Sequence, residues 1–337
     1  MEREVLEHIQ SDGYLDNQKR KSSYNYQVDL VKKPQIFLKN KQLQTKMRFH
    51  GIVNVLFPLI GTVFAIATIP QLGFGLVQLS LLVIIYTLNV IGITVGFHRH
   101  FAHCAFKANI AIKVILVVLG SMAGQGPLVY WVATHRRHHQ YSDVFGDPHS
   151  PYLKGERRLS FVEGLWHSHL GWTLNHEVTN TFLFAKDLLQ DSLILKISKL
   201  YYLWYLISII IPVLLGEILI GGWKGAVSGL LWGGFVRLLL IHHSSWTIGS
   251  ISHIYGSRPF NTRDFSRNNM WLAIPTGGES WHNNHHAFPN SAFFGLKWWQ
   301  IDFGAWVIKG LEKLGLVWDI KIPSVQAQVN KQSQLKN

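Results

Sequence analysis

Four runs of the chain are apolar over about 20 residues or more, the length a helix needs to cross a hydrocarbon core about 30 Å thick. They cover residues 51–70, 72–97, 200–220 and 223–243. The last run contains Lys224 and Arg237, although Lys224 stands at an end, where its ammonium group can reach the membrane surface. The pattern predicts four membrane-spanning helices.

A fifth apolar run, residues 114–134, is also uncharged and long enough on paper to cross. If it crossed, the histidines at 98–103 and those at 135–139 would face opposite compartments. Three glycines and Pro127 further weaken it as a straight spanning helix. We therefore predict a helix that packs on or into the cytosolic side of the bundle.

The distribution of Lys and Arg predicts which side each segment faces. The links PQLGFG and GGWKG carry almost none, whereas QKRK, KNKQLQTKMR, HRH and HRRHH lie outside these two links. By the positive-inside rule, both termini and the central segment are expected in the cytosol, and the four spans form two hairpins.

Composition supports a membrane protein, because 48% of residues are hydrophobic and only 15% are charged. The net charge of +13 would otherwise suggest nucleic acid, but the basic residues lie at the ends of apolar runs, where a membrane surface explains them. We expect no nucleic-acid partner.

The single cysteine, Cys104, excludes an intramolecular disulfide. Residues 1–48 are predicted to be a basic cytosolic arm without a signal peptide, and 323–337 a disordered polar tail.

Three clusters of histidine are the candidate chemistry of the chain, which has 18 histidines. The first is HRHFAH at the end of the second apolar run, and HRRHH and WHNNHH each repeat the spacing i, i+3, i+4. On a helix, residues with that spacing share one face and can flank a metal site from one side. The candidate ligands are His98, His103, His135, His138, His139, His282, His285 and His286.

Eight imidazoles from three segments exceed what one ion needs, so two metals sharing a site is the economical interpretation. Taken alone, His98 and His103 are better explained as histidines at the membrane interface than as ligands. One H-x-x-H-H triple alone fits a metal site and a chance cluster equally well. Their coincidence on one side of the membrane favours a metal site. His100 is turned away by its offset from His98, and His242 and His243 are expected at the membrane interface.

In this order, HRHFAH, HRRHH and WHNNHH among four apolar runs resemble the membrane-bound fatty-acyl desaturases that introduce a double bond between carbons nine and ten. The similarity runs from about Phe49 to Pro323 and includes GDPHSP, HSHLGW, SHIYGSRPF and LKWWQID. These strings look closest to bacterial, cyanobacterial and plant plastid-type enzymes that act on acyl lipids. This resemblance implies a bacterial inner membrane, or a thylakoid membrane if the source is a cyanobacterium. The resemblance implies an all-α integral membrane protein. Its four transmembrane helices form two hairpins, and a cytosolic helical domain within residues 49–322 holds a histidine-ligated di-iron site.

The resemblance also assigns single residues. A ninth metal ligand, His253 in SISHIYG, is implied by it alone. Four residues earlier the family carries an asparagine that holds a metal-bound water, whereas this chain has Gly249, so water or Ser250 would have to substitute.

Gln125, Trp131 and Ser245 fall where the family bends the acyl chain, with plain helix packing as the alternative interpretation. No catalytic side chain beyond the metal ligands is expected. Four further histidines match family positions without being its ligands, so contacts to the ligands or packing are expected for His149, His167, His169 and His176.

Four other residues near the clusters have open or supporting roles. Glu279 and Trp281 are expected to support the third cluster rather than bind metal. Arg136 and Arg137 could contact a substrate head group, an electron donor or the membrane surface.

Removing two hydrogens from an unactivated methylene pair lies beyond acid–base side chains, so dioxygen and electrons must supply the oxidant at iron. The chain has no cytochrome domain and no cysteine set for an iron–sulfur cluster. A separate donor is therefore expected; the family suggests ferredoxin, and an acidic donor suits a basic cytosolic face. The expected substrate is an acyl chain on a membrane glycerolipid, or alternatively acyl-CoA.

Two rival functions are weighed against this one. A membrane di-iron hydroxylase uses similar histidine clusters, but GDPH and WHNNHHAF favour a desaturase. A metal transporter would carry ionisable residues within its spans, and residues 51–97 contain none.

Overall fold

The computed structural model describes residues 35–174 and 177–332. Predictions that concern residues 1–34, His176 or residues 333–337 lie outside the described residues. The elements below are mostly helical and belong to one unit that begins at Ile36.

Four helices of this unit are long and apolar enough to cross a membrane: Lys41–Ala67, Leu76–Ala102, Tyr201–Ile220 and Gly222–Ile254. The prediction of four spans is confirmed at this level. The fourth helix continues past residue 243, where the sequence predicted its end. It can do so because 61% of its apolar window is buried, against 17% for the third helix, so that polar side chains such as Arg237 and His242 face protein rather than lipid.

His242 illustrates the consequence of that longer helix. Its side chain, expected at the membrane interface, is buried, and its ring nitrogens lie 3.1 Å from the carbonyl oxygen of Ala123 and 3.3 Å from that of Asn54. Its neighbour His243 contacts the ring of His169 at 2.9 Å. The interfacial expectation is wrong for His242, because the helix does not leave the bundle there.

Arg237, which interrupts the apolar pattern of the fourth helix, is fully buried with its donors occupied. Its guanidinium donates to the side-chain oxygen of Asn89 at 2.9 Å, and to the carbonyl oxygens of Met122 and Ser208 at 3.0 Å each. These acceptors lie on three other helices. A buried polar group that is satisfied in this way ties the bundle together instead of ending the span.

Small residues let the third and fourth helices approach closely. Added methyl groups at Gly216 and Gly225 would collide with the facing glycine backbone, and one at Gly229 with the carbonyl of Pro212. Such small-residue contacts are how helices associate within a membrane.

The fifth apolar run is divided into two helices, Ile110–Met122 and Leu128–Tyr141. Gly124 and Gly126 between them have φ of 78° and 101°, a conformation that glycine adopts without steric cost. The 13-residue first helix is too short to span a hydrocarbon core. The structure thus agrees with the prediction that this run is no fifth span.

The remaining elements are short and connect or cap the long helices. The other helices are Ile69–Leu72, Phe161–Trp166, His167–Gly171 (π), Trp172–Leu174, Thr181–Phe184, Lys186–Gln190, Ser192–Lys199, Met270–Leu272 (3₁₀), His282–Ala287, Phe303–Lys313 and Val325–Lys331. Three antiparallel two-residue strand pairs are formed: Phe37–Leu38 with Val178–Thr179, Lys107–Ala108 with Val317–Trp318, and Leu153–Lys154 with Arg157–Arg158.

The tail differs from the prediction of a disordered segment from residue 323. A helix, Val325–Lys331, begins at Ser324, whose hydroxyl accepts the N–H of Ala327 at 3.2 Å. Lys331 donates to the carbonyl of Ala287 at 2.5 Å. The polar composition was misleading because helix capping and a contact to Ala287, directly after the third histidine cluster, order this segment without apolar burial.

Candidate metal centre

Nine histidines gather into two groups in which the candidate ligand atoms lie within 4.8 Å of one another. The five-histidine group contains His98, His103, His135, His139 and His285. The four-histidine group contains His138, His253, His282 and His286. The structure therefore brings together all nine residues that the sequence nominated, including His253.

Two helices divide their histidines between the groups. On Leu128–Tyr141, His135 and His139 enter the five-histidine group, whereas His138 enters the other. On His282–Ala287, His285 joins the five and its neighbours His282 and His286 join the four. The sequence predicted that each triple flanks a metal site from one side of its helix, but it did not predict how the three rings divide between two ions. In the structure each helix lies between the two groups and directs rings to both.

The second long helix presents His98 from a π-helical stretch, Gly92–Ala102, and His103 follows directly as its C-cap. Such insertions in a helix shift side chains off the ordinary 3.6-residue face and recur at functional sites. His100 points elsewhere, with Nδ1 3.1 Å from the carbonyl oxygen of Phe106. As the sequence predicted, it belongs to neither group.

Four carboxylates lie against the outer ring nitrogen of a grouped histidine. Nδ1 of His138 is 3.0 Å from Asp147. Nδ1 of His253 is 2.8 Å from Asp143, and Nδ1 of His286 is 2.8 Å from Asp264. Nδ1 of His98 contacts Glu279. A carboxylate that accepts Nδ1–H fixes the tautomer with a free lone pair on Nε2, the form that binds a metal. Glu279 thus supports the first cluster rather than the third, where the sequence placed it.

The inner nitrogens have the arrangement that a metal site requires. Nε2 of His98 and of His139 lie 3.0 and 2.9 Å from Nε2 of His285, and Nε2 of His253 lies 3.0 Å from that of His282. Among the described residues, Nε2 of His138 and of His286 are buried and have no hydrogen-bond partner. Buried imidazole nitrogens left without a donor or acceptor fit ligation of metal, so the residues present suit two imidazole-bound ions.

The electrostatics favour the neutral form of three rings in the five-histidine group. Burial, followed by the charge of neighbouring histidines, lowers the pKa of His135, His139 and His285 well below the usual range. The neutral imidazole is the form that ligates metal. Glu279 is a contrasting case, because burial raises the pKa of its carboxyl to about 8 despite the nearby guanidinium of Arg99.

Arg99 anchors the first cluster to the C-terminal region. Its guanidinium donates to Asp302 at 2.8 Å, to Glu279 at 3.3 Å and to the carbonyl of Ala292 at 2.9 Å, and it lies over the ring of Phe294. A fully buried guanidinium with paired carboxylates holds its surroundings rigidly, since loss of one partner leaves a buried charge.

An apolar cavity of about 550 Å³ passes the two groups. His135, His138 and His282 line it, and so do Gln125, Trp131 and Ser245, the three residues that the sequence nominated for substrate. These three form a hydrogen-bonded chain, in which Trp131 donates to Gln125 at 3.1 Å and Gln125 donates to Ser245 at 2.6 Å. The indole of Trp131 also stacks on His135, with ring centroids 5.1 Å apart.

Both arginines of the second cluster have partners within the protein. Arg136 donates to Asp187 at 2.7 and 2.9 Å and to the carbonyls of Phe101 and Ala102. Arg137 is buried and donates to Glu177 at 2.8 Å. The sequence left three roles open for these arginines: contact with a substrate head group, an electron donor or the membrane surface. Pairing with a carboxylate of the protein was not among them, because the spacing of charges does not reveal a partner that is distant in sequence.

Sequence reasoning missed Asp143 and Asp264 altogether. They follow no recognisable spacing from the histidines they contact, and only GDPHSP gave a signal for the neighbouring Asp147. Ser250, suggested as a substitute for the missing asparagine, bonds elsewhere: its hydroxyl donates to the carbonyl of Trp246 at 2.7 Å and lies 3.0 Å from His169.

Residues 75–319 match the fatty acid desaturase family. A hex-5-enoyl-[acyl-carrier protein] acetylenase from Moorena producens is 52% identical over 288 residues, which cover 85% of this chain and 89% of that protein. An sn-1 stearoyl-lipid 9-desaturase from Synechocystis sp. is 37% identical over 280 residues, 82% of this chain and 81% of that protein. Delta-9 acyl-lipid desaturase 1 from Arabidopsis thaliana is 37% identical over 246 residues, with coverage of 73% and 76%.

Proposed function

The chain belongs to the fatty acid desaturase family, and from that premise we propose that it removes hydrogen from a fatty acyl chain at a centre of two iron ions. The observation that carries the proposal is the pair of histidine groups beside one apolar cavity. The nine grouped histidines are the proposed iron ligands, five for one ion and four for the other. Imidazole is a good ligand for iron, and the aspartates behind His138, His253 and His286 keep these three rings in the ligating tautomer.

Iron so bound would supply the oxidant: two hydrogens leave adjacent carbons, and dioxygen, taking two electrons from a donor and two protons, leaves as two waters. The chain's own residues bind, orient and exclude water. The apolar lining of the cavity holds a methylene chain, and the Trp131–Gln125–Ser245 chain fixes its wall directly beside His135. Position specificity then follows from which carbons lie opposite the histidine groups.

The proposed substrate is a saturated acyl chain on a membrane glycerolipid, desaturated between carbons nine and ten. The relatives from Synechocystis and Arabidopsis support it, since their names specify stearoyl-lipid and acyl-lipid 9-desaturation. Acyl-CoA remains the alternative carrier.

A second candidate reaction has its own support. The Moorena relative, at 52% identity, is an acetylenase of an acyl chain on acyl carrier protein. An acetylenase removes two hydrogens from an existing double bond, which needs the same oxidant and the same cavity. Lys46 and Lys199 line the cavity and are exposed, and a positive rim suits an acidic carrier.

The proposed setting is a membrane with both termini and the metal centre on the cytosolic side, in a bacterial inner or thylakoid membrane. Two hairpins would result, consistent with the near absence of Lys and Arg from the links after the first and third helices. Ferredoxin is the proposed electron donor.

The test is to supply the purified, iron-loaded protein with reduced ferredoxin, dioxygen and each substrate in turn: a stearoyl glycerolipid, stearoyl-CoA and hexenoyl acyl carrier protein. A product lighter by two hydrogens supports the proposal, and the substrate that yields it identifies the carrier. A product heavier by one oxygen would show a hydroxylase and overturn it. His285→Ala should abolish turnover with membrane insertion intact, while His100→Ala, the matched control, retains it.

A further inference from the structure

His149 forms a third group with His138 and Asp147, in which candidate ligand atoms again lie within 4.8 Å of one another. Its ring stacks on His138 with centroids 4.3 Å apart and lies 5.3 Å from the ring of Trp172. His149 is not one of the nine grouped histidines, and the proposed reaction gives it no role. Its contact with one of the nine suggests that it acts at the same centre.

A single carboxylate holds His149 and His138 together. The backbone N–H of His149 donates to Oδ1 of Asp147 at 3.0 Å, the same oxygen that lies 3.0 Å from Nδ1 of His138. The ring nitrogen Nδ1 of His149 is buried and has no hydrogen-bond partner within residues 35–174 and 177–332, and Oδ1 of Asp147 is 4.0 Å from it. An ordered ring with an unpaired buried nitrogen indicates a missing ligand.

Gly249 gives this imidazole its space. A Cβ atom at position 249 would lie 2.9 Å from Nδ1 of His149 and 3.1 Å from its Cε1, closer than real contacts allow. The ring therefore occupies the volume that any side chain at 249 would need. Both residues line the cavity together with His138 and His282.

We propose that His149 binds the metal ion of the four-histidine group from the cavity side, directly or through one metal-bound water, in the space that Gly249 leaves. The nine histidines then receive a tenth partner, and the centre has a solvent-binding position that faces the substrate cavity. The inference rests on the proposed function only for the identity of the metal as iron. The presence of a metal is tested separately below.

The experiment measures metal binding by the full-length protein in detergent, without turnover. Apo-protein is loaded with Co(II) against a competing chelator, and the ⁵⁷Fe-loaded protein is examined by Mössbauer spectroscopy. We expect His149→Ala to weaken one of the two bound ions at least about 10- to 100-fold, because loss of a contact that merely supports a ligand already costs that much. Only one of the two iron spectra should change. The matched control is His167→Ala, a buried histidine outside the three groups.

A second variant separates ligation from packing. In His149→Ala/Gly249→Asn, an amide at 249 fills the vacated space with an oxygen donor, and we expect metal affinity to recover in part. Unchanged metal affinity and spectra in His149→Ala would overturn the proposal. It would also be overturned if His149→Ala/Gly249→Leu recovered metal affinity as completely as His149→Ala/Gly249→Asn. If His149→Ala does not fold, His149→Gln decides: unchanged metal spectra there would also overturn it. A protein that binds metal as expected but never oxidises acyl chains would refute the proposed function alone.

Discussion

Replacing Asp264 with asparagine tests whether the carboxylates behind the histidines govern metal binding. Oδ2 of Asp264 lies 2.8 Å from Nδ1 of His286, and Oδ1 accepts the N–H of Ser266 at 2.9 Å. Asparagine has the same shape but only one acceptor oxygen. If that oxygen faces Ser266, the amide NH₂ faces Nδ1 of His286 and moves the ring proton to Nε2, the nitrogen that would bind metal. If the oxygen faces His286, two donors meet at Ser266.

Either orientation loses one of the two contacts that Asp264 makes. The tautomer of His286 with a free lone pair on Nε2 is therefore either disfavoured or kept only by losing the contact to Ser266. Loss of such a supporting partner typically weakens metal binding 10- to 100-fold, or about 1.4 to 2.7 kcal/mol. Because His286 belongs to the four-histidine group, only one of two ions should be affected.

The assay is competition of the purified protein with a chelator of known affinity, with bound metal counted by mass spectrometry. The matched control is Asp319→Asn, since Asp319 is exposed, pairs with Lys107 at 2.7 Å on the surface, and has a φ of 52° that asparagine tolerates. Equal metal affinity in Asp264→Asn and Asp319→Asn would refute the reasoning, because it would mean that the carboxylate does not set the tautomer of His286.

Three further variants test other parts of the account. Arg237→Met should destabilise the protein by at least about 3 kcal/mol, because several buried acceptors such as Asn89 lose their donor; thermal unfolding in detergent measures this, and a loss below about 1 kcal/mol would contradict it. Trp131→Phe removes the donor to Gln125 while keeping an aromatic ring beside His135 of the five-histidine group. We expect a changed distribution of double-bond positions by mass spectrometry at unchanged metal content, and a single unchanged position would contradict it. His100→Ala should leave the number of bound ions unchanged, since its ring faces the carbonyl of Phe106; loss of an ion would move His100 into the centre.

The histidines could be predicted from the sequence because local spacing already carries the information. A triple such as His282, His285 and His286 occupies one side of a helix whatever that helix packs against. What spacing could not show is that each triple is divided between two metal groups, since this depends on where the helix axis lies between them. The resemblance supplied His253, which no local pattern distinguishes from any other buried histidine.

Partners that are distant in sequence were the part that could not be predicted. Asp143 meets His253 across a sequence separation of 110 residues, and no periodicity links the two. The length of the fourth helix was misjudged because hydropathy assumes a lipid environment, whereas polar residues such as His242 face protein. Arg237 looked like an interruption for the same reason, although its acceptors lie on three other helices.

The most direct test of the central claim is the mass of the acyl product formed by iron-loaded protein under ¹⁸O₂ with reduced ferredoxin. An acyl chain that has lost two hydrogens and contains no ¹⁸O, with the label recovered in water, is the predicted result. A product that retains ¹⁸O, or equal turnover by the metal-free protein, would contradict the assignment of the two histidine groups to acyl-chain dehydrogenation.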